Sequence, residues 1–197
     1  MNKKLLTFLT LVISLLFLVI FSWPDDRLHI VACDVGQGDA FLLMHKQAQV
    51  LVDSGPGSKV LDCLTRYMPF WDRTLELVVL THAQKDHYGG MDAVLERYQV
   101  QALVASSLGS SSEEYQVIEK MVGDLGIQVI RPFAGRKVRV GLISLDILWP
   151  SHEALASLDV NDDPNNFSVV FELQYKDFEA LFTGDIGPET EGKILAL

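Results

Sequence analysis

Residues 81–90 concentrate the groups best suited to chemistry. They read THAQKDHYGG, so His82, Asp86 and His87 offer two imidazoles and one carboxylate within six residues. The segment follows an apolar, strand-like run, and side chains at the carboxyl end of a strand can converge in a cleft. Imidazole nitrogen and carboxylate oxygen suit zinc, manganese or iron, and the lack of sulfur ligands argues against a purely structural zinc. The alternative is a polar loop in which Asp86 caps the next helix and both histidines face solvent.

Two further aspartates occur in a similar setting. Asp53 in LVDSG and Asp185 in FTGD each end a strand-like run beside a glycine. Because glycine lets the backbone crowd a small site, three strand ends carrying Asp or His next to glycine indicate one shared rim. Each aspartate could instead begin an ordinary turn.

The elements that must position these residues are short β-rich runs. Glycine-rich turns separate these runs, and helical patterns interrupt them. Apolar spacing predicts helices over 58–68, 90–98 and 113–125. Since strands dominate but helices interrupt them, an α/β sandwich of mixed sheets is favoured over a doubly wound parallel sheet. Strands are predicted over 28–34, 40–44, 49–53, 75–81, 100–106, 127–131, 137–148, and a late hairpin, 168–175 with 178–183.

The formal net charge of the chain is −10, so its overall field should repel nucleic acids and anionic lipid. This counts against a DNA partner held by charge alone, although a bound metal would reverse the sign locally. A solvated strand face is favoured over a phosphate contact for the one compact basic cluster after the N-terminal segment, Arg131, Arg136, Lys137 and Arg139.

The N-terminal segment carries a membrane signal. Residues 5–21 are uncharged and follow Lys3 and Lys4. Such a run is about as long as a helix that crosses a ~30 Å hydrocarbon layer, and the lysines favour a cytoplasmic N-terminus. We therefore predict one transmembrane helix within residues 1–24, with residues 25–197 on the extracytoplasmic side of the cell membrane. A cleaved signal peptide is the alternative, but no small-x-small cleavage site follows the run.

Cys33 and Cys63 lie thirty residues apart, a spacing that matches no zinc-binding or Cys-x-x-Cys pattern. They could pair in an oxidising compartment, but two unpaired core cysteines are the favoured interpretation. The remaining histidines, His29, His45 and His152, belong to no motif and are predicted to be surface or packing residues.

Five segments follow one another along the chain: DVGQGDA (34–40), LVDSGP (51–56), LTHAQKDHYGG (80–90), NNFSVVFEL (165–173) and LFTGD (181–185). In this order they resemble the metallo-β-lactamase-fold domain of the ComEC family of competence channels, which carry DNA into cells. The resemblance runs from about residue 28 to the last residue. It implies an αββα sandwich with one or two divalent transition metals, zinc or manganese, between the sheets. It also implies a phosphodiesterase or nuclease acting on DNA, with the membrane, single-stranded DNA and a DNA-uptake channel as partners.

The resemblance also implies roles for single residues. His82 would be a ligand of a first metal, Asp86 and His87 would bind a second, and Asp185 would bridge the two. Asp86 or Asp185 would hold the attacking water and so be catalytic.

Further residues of the five segments would support the ligands. Asp39 and Asp53 would orient ligands or water. Asn165, Asn166 and Ser168 lie where many relatives have another histidine, and could contact metal or substrate or simply form a turn.

Two departures from the family pattern stand against full activity. Gln84 occupies a position where relatives have His or Asp; as a neutral and weaker ligand it would support the other ligands or contact substrate. The chain also ends twelve residues after Asp185, before a further family histidine. We therefore predict a metallo-β-lactamase-like domain, 25–197, that is incomplete at its C-terminus. The alternatives to a nuclease are a metallo-hydrolase of another ester, lactam or thioester, and a degenerate binding module without catalysis.

Overall fold

Two β-sheets carry the fold, and most of their strands are the apolar runs that the sequence predicts. The computed structural model describes residues 2–21, 23–159 and 161–195. The strands are β1 (His29–Ala32), β2 (Phe41–His45), β3 (Ala48–Val52), β4 (Thr74–Leu75), β5 (Leu77–Leu80), β6 (Gln99–Val100), β7 (Ala102–Ala105), β8 (Gln128–Ile130), β9 (Lys137–Val140), β10 (Ile143–Trp149), β11 (Val170–Tyr175) and β12 (Phe178–Phe182). The helices are α1 (Lys3–Phe21), α2 (Val60–Tyr67), α3 (Lys85–Tyr88), α4 (Met91–Arg97), α5 (Glu113–Asp124), α6 (His152–Ala156) and α7 (Pro188–Ile194), with a 3-10 helix over Pro164–Phe167.

The first sheet has the order β1-β2-β3-β5-β7-β8 and the second the order β12-β11-β10-β9. In the first sheet β1, β2 and β3 are antiparallel, whereas β3, β5, β7 and β8 are parallel. The second sheet is antiparallel throughout. Because the parallel strands run in one direction, their carboxyl ends meet at one edge of the first sheet, where α/β proteins usually bind ligands.

Side chains alternate between two apolar cores. Val50 and Val52 of β3 face the second sheet and pack with Phe171, whereas Leu51 faces the opposite way. On that opposite face Leu51 shares a core with residues of α2, α4 and α5. The predicted α/β sandwich is therefore confirmed, but only its first sheet is mixed, since the second is antiparallel throughout.

The predicted strand over 137–148 is wrong in one respect. It is a hairpin, β9 and β10, that turns at Gly141, whose φ of 59° favours glycine. The helices α3, α6 and α7 were not predicted. With four and five residues, α3 and α6 are too short to show an apolar period, and α7, PETEGKI, is mostly polar.

The predicted transmembrane anchor is also wrong. Helix α1 contains 19 residues, which extend about 28 Å at ~1.5 Å per residue, slightly less than the ~30 Å hydrocarbon layer. Within the part of the chain that the structure describes, no helix combines the length and apolarity needed to cross a membrane. The location inferred from that anchor, with residues 25–197 on the extracytoplasmic side of the cell membrane, is overturned with it. Met1 and Ser22 of the predicted segment lie outside the described residues.

The two cysteines form a disulfide, so the favoured interpretation of unpaired cysteines is wrong. Cys33 follows β1 and Cys63 lies in α2, with their Cα atoms 5.6 Å apart. The spacing in sequence does not reveal this proximity, because it depends on how β1, β2 and β3 bring the chain back so that α2 lies beside Cys33. The bond ties the beginning of the DVGQGDA segment to α2.

Candidate metal centre

Two imidazoles and one carboxylate converge where strands of both sheets end. His82 follows β5, His87 lies in α3, and Asp185 follows β12. One ligand atom from each residue lies within 4.8 Å of the other two. His87 Nε2 is 3.5 Å from Asp185 Oδ2, and the two imidazole centroids are 4.1 Å apart. Both histidines are buried, while 41% of the Asp185 side chain is exposed, so the cluster opens to solvent on the carboxylate side.

A third buried residue, Asp53, fixes the protonation of both rings. Its Oδ2 accepts the Thr81 hydroxyl proton at 2.7 Å and lies 2.8 Å from His87 Nδ1. A carboxylate can only accept, so His87 Nδ1 must carry a proton and donate it. The Thr81 hydroxyl already donates its single proton to Asp53. It can therefore only accept a hydrogen bond from His82 Nδ1, which lies 3.0 Å from the hydroxyl oxygen. In both rings Nδ1 is therefore the donor.

This arrangement fits a bound cation. With its proton on Nδ1, His82 presents a lone pair at Nε2, and this buried atom has no hydrogen-bond partner among the described residues. A buried polar atom without a partner is unfavourable, and a metal ion would satisfy it. Metal-binding histidines commonly donate their other ring N–H to an oxygen, as both histidines do here. The donor set of two imidazoles and one carboxylate suits a divalent transition metal.

The electrostatics of the two histidines differ. Burial, reinforced by the charge of His87, lowers the pKa of His82 and so favours the neutral ring. Burial also opposes protonation of His87, but the hydrogen bond and charge of Asp53, together with Asp185 and Asp86, raise its pKa to about 9. A metal ion would therefore displace a proton from His87 at neutral pH.

The backbone around Asp53 is built to hold α3. Asp53 has a φ of 56°, in the left-handed region that few side chains adopt. The following residue, Ser54, donates from both its backbone N–H and its hydroxyl to the His87 carbonyl, at 2.7 and 2.9 Å. The LVDSG turn thus holds the ring of His87 through Asp53 and its backbone through Ser54.

The DVGQGDA segment forms a wall of the site. Gly38 has a φ of 102°, and a Cβ at this position would lie 2.0 Å from the Asp86 carbonyl oxygen. The Asp39 carbonyl accepts the Gly55 N–H at 2.9 Å. Burial raises the pKa of the half-buried Asp39 carboxyl, against the opposing charge of His87. Close packing against the Asp86 backbone explains why glycine occupies position 38.

Asp86 lies outside the three-residue cluster. Asp86 and His87 are consecutive in α3, and consecutive helical side chains leave the helix axis about 100° apart, so the two side chains start in different directions. Binding of a second metal by both residues stays a prediction. Gln84 is the N-cap of α3, and its carbonyl accepts the N–H groups of His87 and Tyr88.

Asn166, predicted either to contact metal or substrate or to form a turn, lies in the 3-10 helix and is hydrogen-bonded within the fold, and its contact with metal or substrate stays a prediction. Its side-chain oxygen accepts from the Thr190 hydroxyl at 3.2 Å, and its carbonyl accepts from the Trp149 indole at 2.8 Å. These bonds connect the 3-10 helix to α7 and β10. Sequence reasoning missed Thr81, although its position beside His82 in the motif was a usable signal.

The basic cluster and the remaining histidines lie in ordinary surface or packing contacts. Lys137 pairs with Asp146 at 2.7 Å across β9 and β10, and Arg136 donates to the Arg131 carbonyl. His45 is buried beside Asp26, and His152 packs on a phenylalanine ring. These contacts agree with the predictions made for both groups.

The fold and the histidine-carboxylate cluster define a member of a known superfamily. Residues 48–197 match the profile of the Beta-lactamase superfamily domain, and the chain belongs to this family. Proteins of the metallo-β-lactamase fold are generally metal-dependent hydrolases that bind divalent metals. The predicted fold family is therefore confirmed.

The chain is also similar to individual proteins. The chain is 24% identical over 186 residues to ComE operon protein 3 of Bacillus subtilis (strain 168), across 82% of this chain and 22% of that protein. It superposes on the metallo-beta-lactamase fold protein YhfI from Bacillus subtilis with a TM-score of 0.52 and 16% identity, covering 80% of this chain and 61% of that one. CmlA, a diiron beta-hydroxylase from Streptomyces venezuelae, gives a TM-score of 0.51 at 16% identity, with 88% and 33% covered. The chain thus spans about a fifth of its curated relative.

Proposed function

We propose that this chain is a metal-dependent phosphodiesterase that hydrolyses single-stranded DNA in a DNA-uptake context. One observation carries the proposal: His82, His87 and Asp185 converge within 4.8 Å, and the buried His82 Nε2 has no partner among the described residues. The similarity to ComE operon protein 3 and the DVGQGDA segment, a mark of the ComEC family, support the choice of substrate.

The charge of the site makes a cation necessary for this substrate. Four carboxylates, those of Asp39, Asp53, Asp86 and Asp185, act electrostatically on the two histidines or on one another. Without an ion their negative charge would repel a phosphodiester, as the chain as a whole does. A divalent ion bound here supplies activation of water and compensates negative charge on the phosphoryl oxygens.

The residues of the chain then have separate tasks. Asp53 keeps both Nε2 atoms directed toward the centre, directly for His87 and through Thr81 for His82. Asp185, on the exposed side, is placed to accept a proton from an attacking water molecule that enters from solvent. The wall formed by the DVGQGDA segment packs against the Asp86 backbone through Gly38 and so keeps α3 in place.

The test is hydrolysis of labelled single-stranded DNA by the 197-residue chain with Mn²⁺ or Zn²⁺ and after chelation. We expect metal-dependent cleavage that His82→Ala and His87→Ala abolish. His152→Ala is the matched control, because this exposed histidine lies in α6, away from the cluster, and its removal should leave cleavage intact.

The same preparation separates the alternatives. Cleavage of a lactam or thioester without cleavage of DNA would support a different metallo-hydrolase. Metal binding without hydrolysis of any of these substrates would support a binding module, which the neutral Gln84 and the position of Asp86 outside the cluster favour. Failure to bind metal would refute the proposal as a whole.

A further inference from the structure

Ser168 has a fully buried hydroxyl that is not used by the fold. The residue is 0% exposed, and its Oγ has no hydrogen-bond partner among the described residues. A serine hydroxyl can rotate to donate and can also accept, so it usually finds a partner even in a crowded interior. His82 Nε2 is another buried atom in the same condition.

Ser168 lies beside the chain segments that lead into two of the candidate ligands. A Cβ added to Gly184 would lie 2.9 Å from Ser168 Cβ, 3.1 Å from its Oγ and 3.2 Å from Thr81 Cβ. The N–H of Val169 donates to the Thr81 carbonyl at 2.9 Å. Ser168 therefore lies against Thr81 and Gly184, the two residues that directly precede the ligands His82 and Asp185.

We propose that the Ser168 hydroxyl is a fourth ligand group of the metal centre, a neutral oxygen donor that acts beside His82, His87 and Asp185. The proposal rests on the proposed metal-dependent function. A hydroxyl oxygen adds a contact to the ion without adding negative charge to a site that already has four carboxylates. It therefore does not further reduce the positive charge that the ion offers to a phosphodiester. The ion would also give the buried hydroxyl the partner that the fold does not provide.

Substitution of sulfur for oxygen gives the most direct test. Ser168→Cys changes one atom, and a thiol that contacts a bound metal is deprotonated and becomes a ligand. When the variant chain is titrated with Co²⁺, we expect a near-ultraviolet charge-transfer band from sulfur to cobalt. Ser106→Cys is the matched control, because Ser106 is also buried but donates to the Phe167 carbonyl at 3.0 Å. It should show no such band.

Ser168→Ala gives an independent measurement. We expect its Kd for Co²⁺ to rise about tenfold and its visible cobalt bands to change. Without metal, its unfolding midpoint should equal or exceed that of the parent chain, because the change removes an unpaired buried hydroxyl. Ser106→Ala should behave in the opposite way, with a lower midpoint and an unchanged cobalt spectrum.

The proposal is overturned if Ser168→Cys gives no charge-transfer band or if Ser168→Ala leaves the cobalt spectrum unchanged, whatever the affinity. A water molecule that satisfies the hydroxyl would produce that result. If the parent chain binds Co²⁺ and Ser168→Ala binds it identically, only the role of Ser168 fails. If the parent chain binds no Co²⁺, the proposed function fails as well.

Discussion

The imidazole side and the carboxylate side of the candidate centre are held very differently. His82 and His87 are buried, and Asp53 determines which nitrogen of each ring carries the proton. Asp185 is 41% exposed, and among the described residues its carboxylate has a single ion-pair partner, His87, at 3.5 Å. The fold therefore prepares the imidazoles before an ion arrives, whereas the ion itself must order the carboxylate.

The strands that carry the two sides explain the difference. His82 follows β5, a strand that is paired on both sides in the first sheet and fully buried. Asp185 follows β12, an edge strand of the second sheet, on which Leu181 is 61% exposed. A central strand restricts the residue that follows it, while an edge strand leaves that residue more freedom. A change that releases the imidazoles should therefore reduce metal affinity more than a change of the Asp185 carboxylate.

Asp53→Asn should have the largest effect. The amide oxygen can still accept the Thr81 N–H, but the amide nitrogen would replace Oδ2 and donate to both the Thr81 hydroxyl and His87 Nδ1. Both rings would then carry their proton on Nε2, where a metal should bind. We expect metal affinity to fall about 100-fold, or about 2.7 kcal/mol, by calorimetric titration.

Asp92→Asn, on the exposed face of α4, is the control for loss of charge alone and should bind metal normally. Asn also tolerates the left-handed backbone at position 53, so the fold should survive. Unchanged metal affinity in Asp53→Asn would show that the two rings are not oriented by this carboxylate.

Gly38→Ala tests the wall behind the imidazoles. The new methyl would lie 2.0 Å from the Asp86 carbonyl oxygen, and the φ of 102° is unsuitable for alanine. We expect a loss of about 2 kcal/mol in the free energy of unfolding, measured by denaturant titration. Gly57→Ala, where no atom lies within 4 Å of the added Cβ, should change it by less than about 1 kcal/mol. Equal effects of the two variants would mean that the wall is not close-packed.

Asp185→Asn should weaken metal binding by about tenfold, or about 1.4 kcal/mol, and leave the free energy of unfolding unchanged. The reason is that this exposed carboxylate contributes to the centre but little to the fold. Loss of stability comparable to that of Gly38→Ala would contradict the proposed difference between the two sides.

Much of the fold and the three residues of the candidate metal centre could be predicted from the sequence. Strands with strong apolar runs, such as β5 and β11, were predicted within a few residues, because buried strands need little beyond such runs. The three residues that converge, His82, His87 and Asp185, all belong to motifs at strand ends. The ends of apolar strands can be predicted from sequence, and motifs that follow such strands come together at one end of the sheets, so these three residues could be found.

Other features depend on three-dimensional direction, which spacing does not encode. Asp86 and His87 are neighbours in sequence, but only His87 belongs to the three-residue cluster, and the second-metal role that the resemblance implies for both stays a prediction. Asn166 and Ser168 were equivalent by motif, yet only Ser168 lies against the ligand-bearing segments. The disulfide from Cys33 required knowledge of where α2 lies.

The smallest effect is expected at the end of β2 that lies away from the DVGQGDA segment. There Asp26 accepts from Lys46 and His45, and its carbonyl accepts from Tyr175 of the second sheet. Hydrogen bonds from Lys46 and then His45, together with the charge of Lys46, lower the pKa of Asp26 to about 2 from an ordinary value of 3.8. A carboxyl whose pKa is lowered by folding stabilises the protein at pH values above its pKa in the unfolded chain. This contribution disappears as the pH falls through its pKa in the folded chain.

Asp26→Asn should therefore be slightly less stable than the parent chain at pH 5 to 7, and the difference should vanish between about pH 4 and pH 2. Denaturant titrations of both chains across this range would measure it, with Asp177→Asn, in the exposed turn between β11 and β12, as a control. A difference that stays constant with pH would mean that the Asp26 pairs do not stabilise this end of the sandwich.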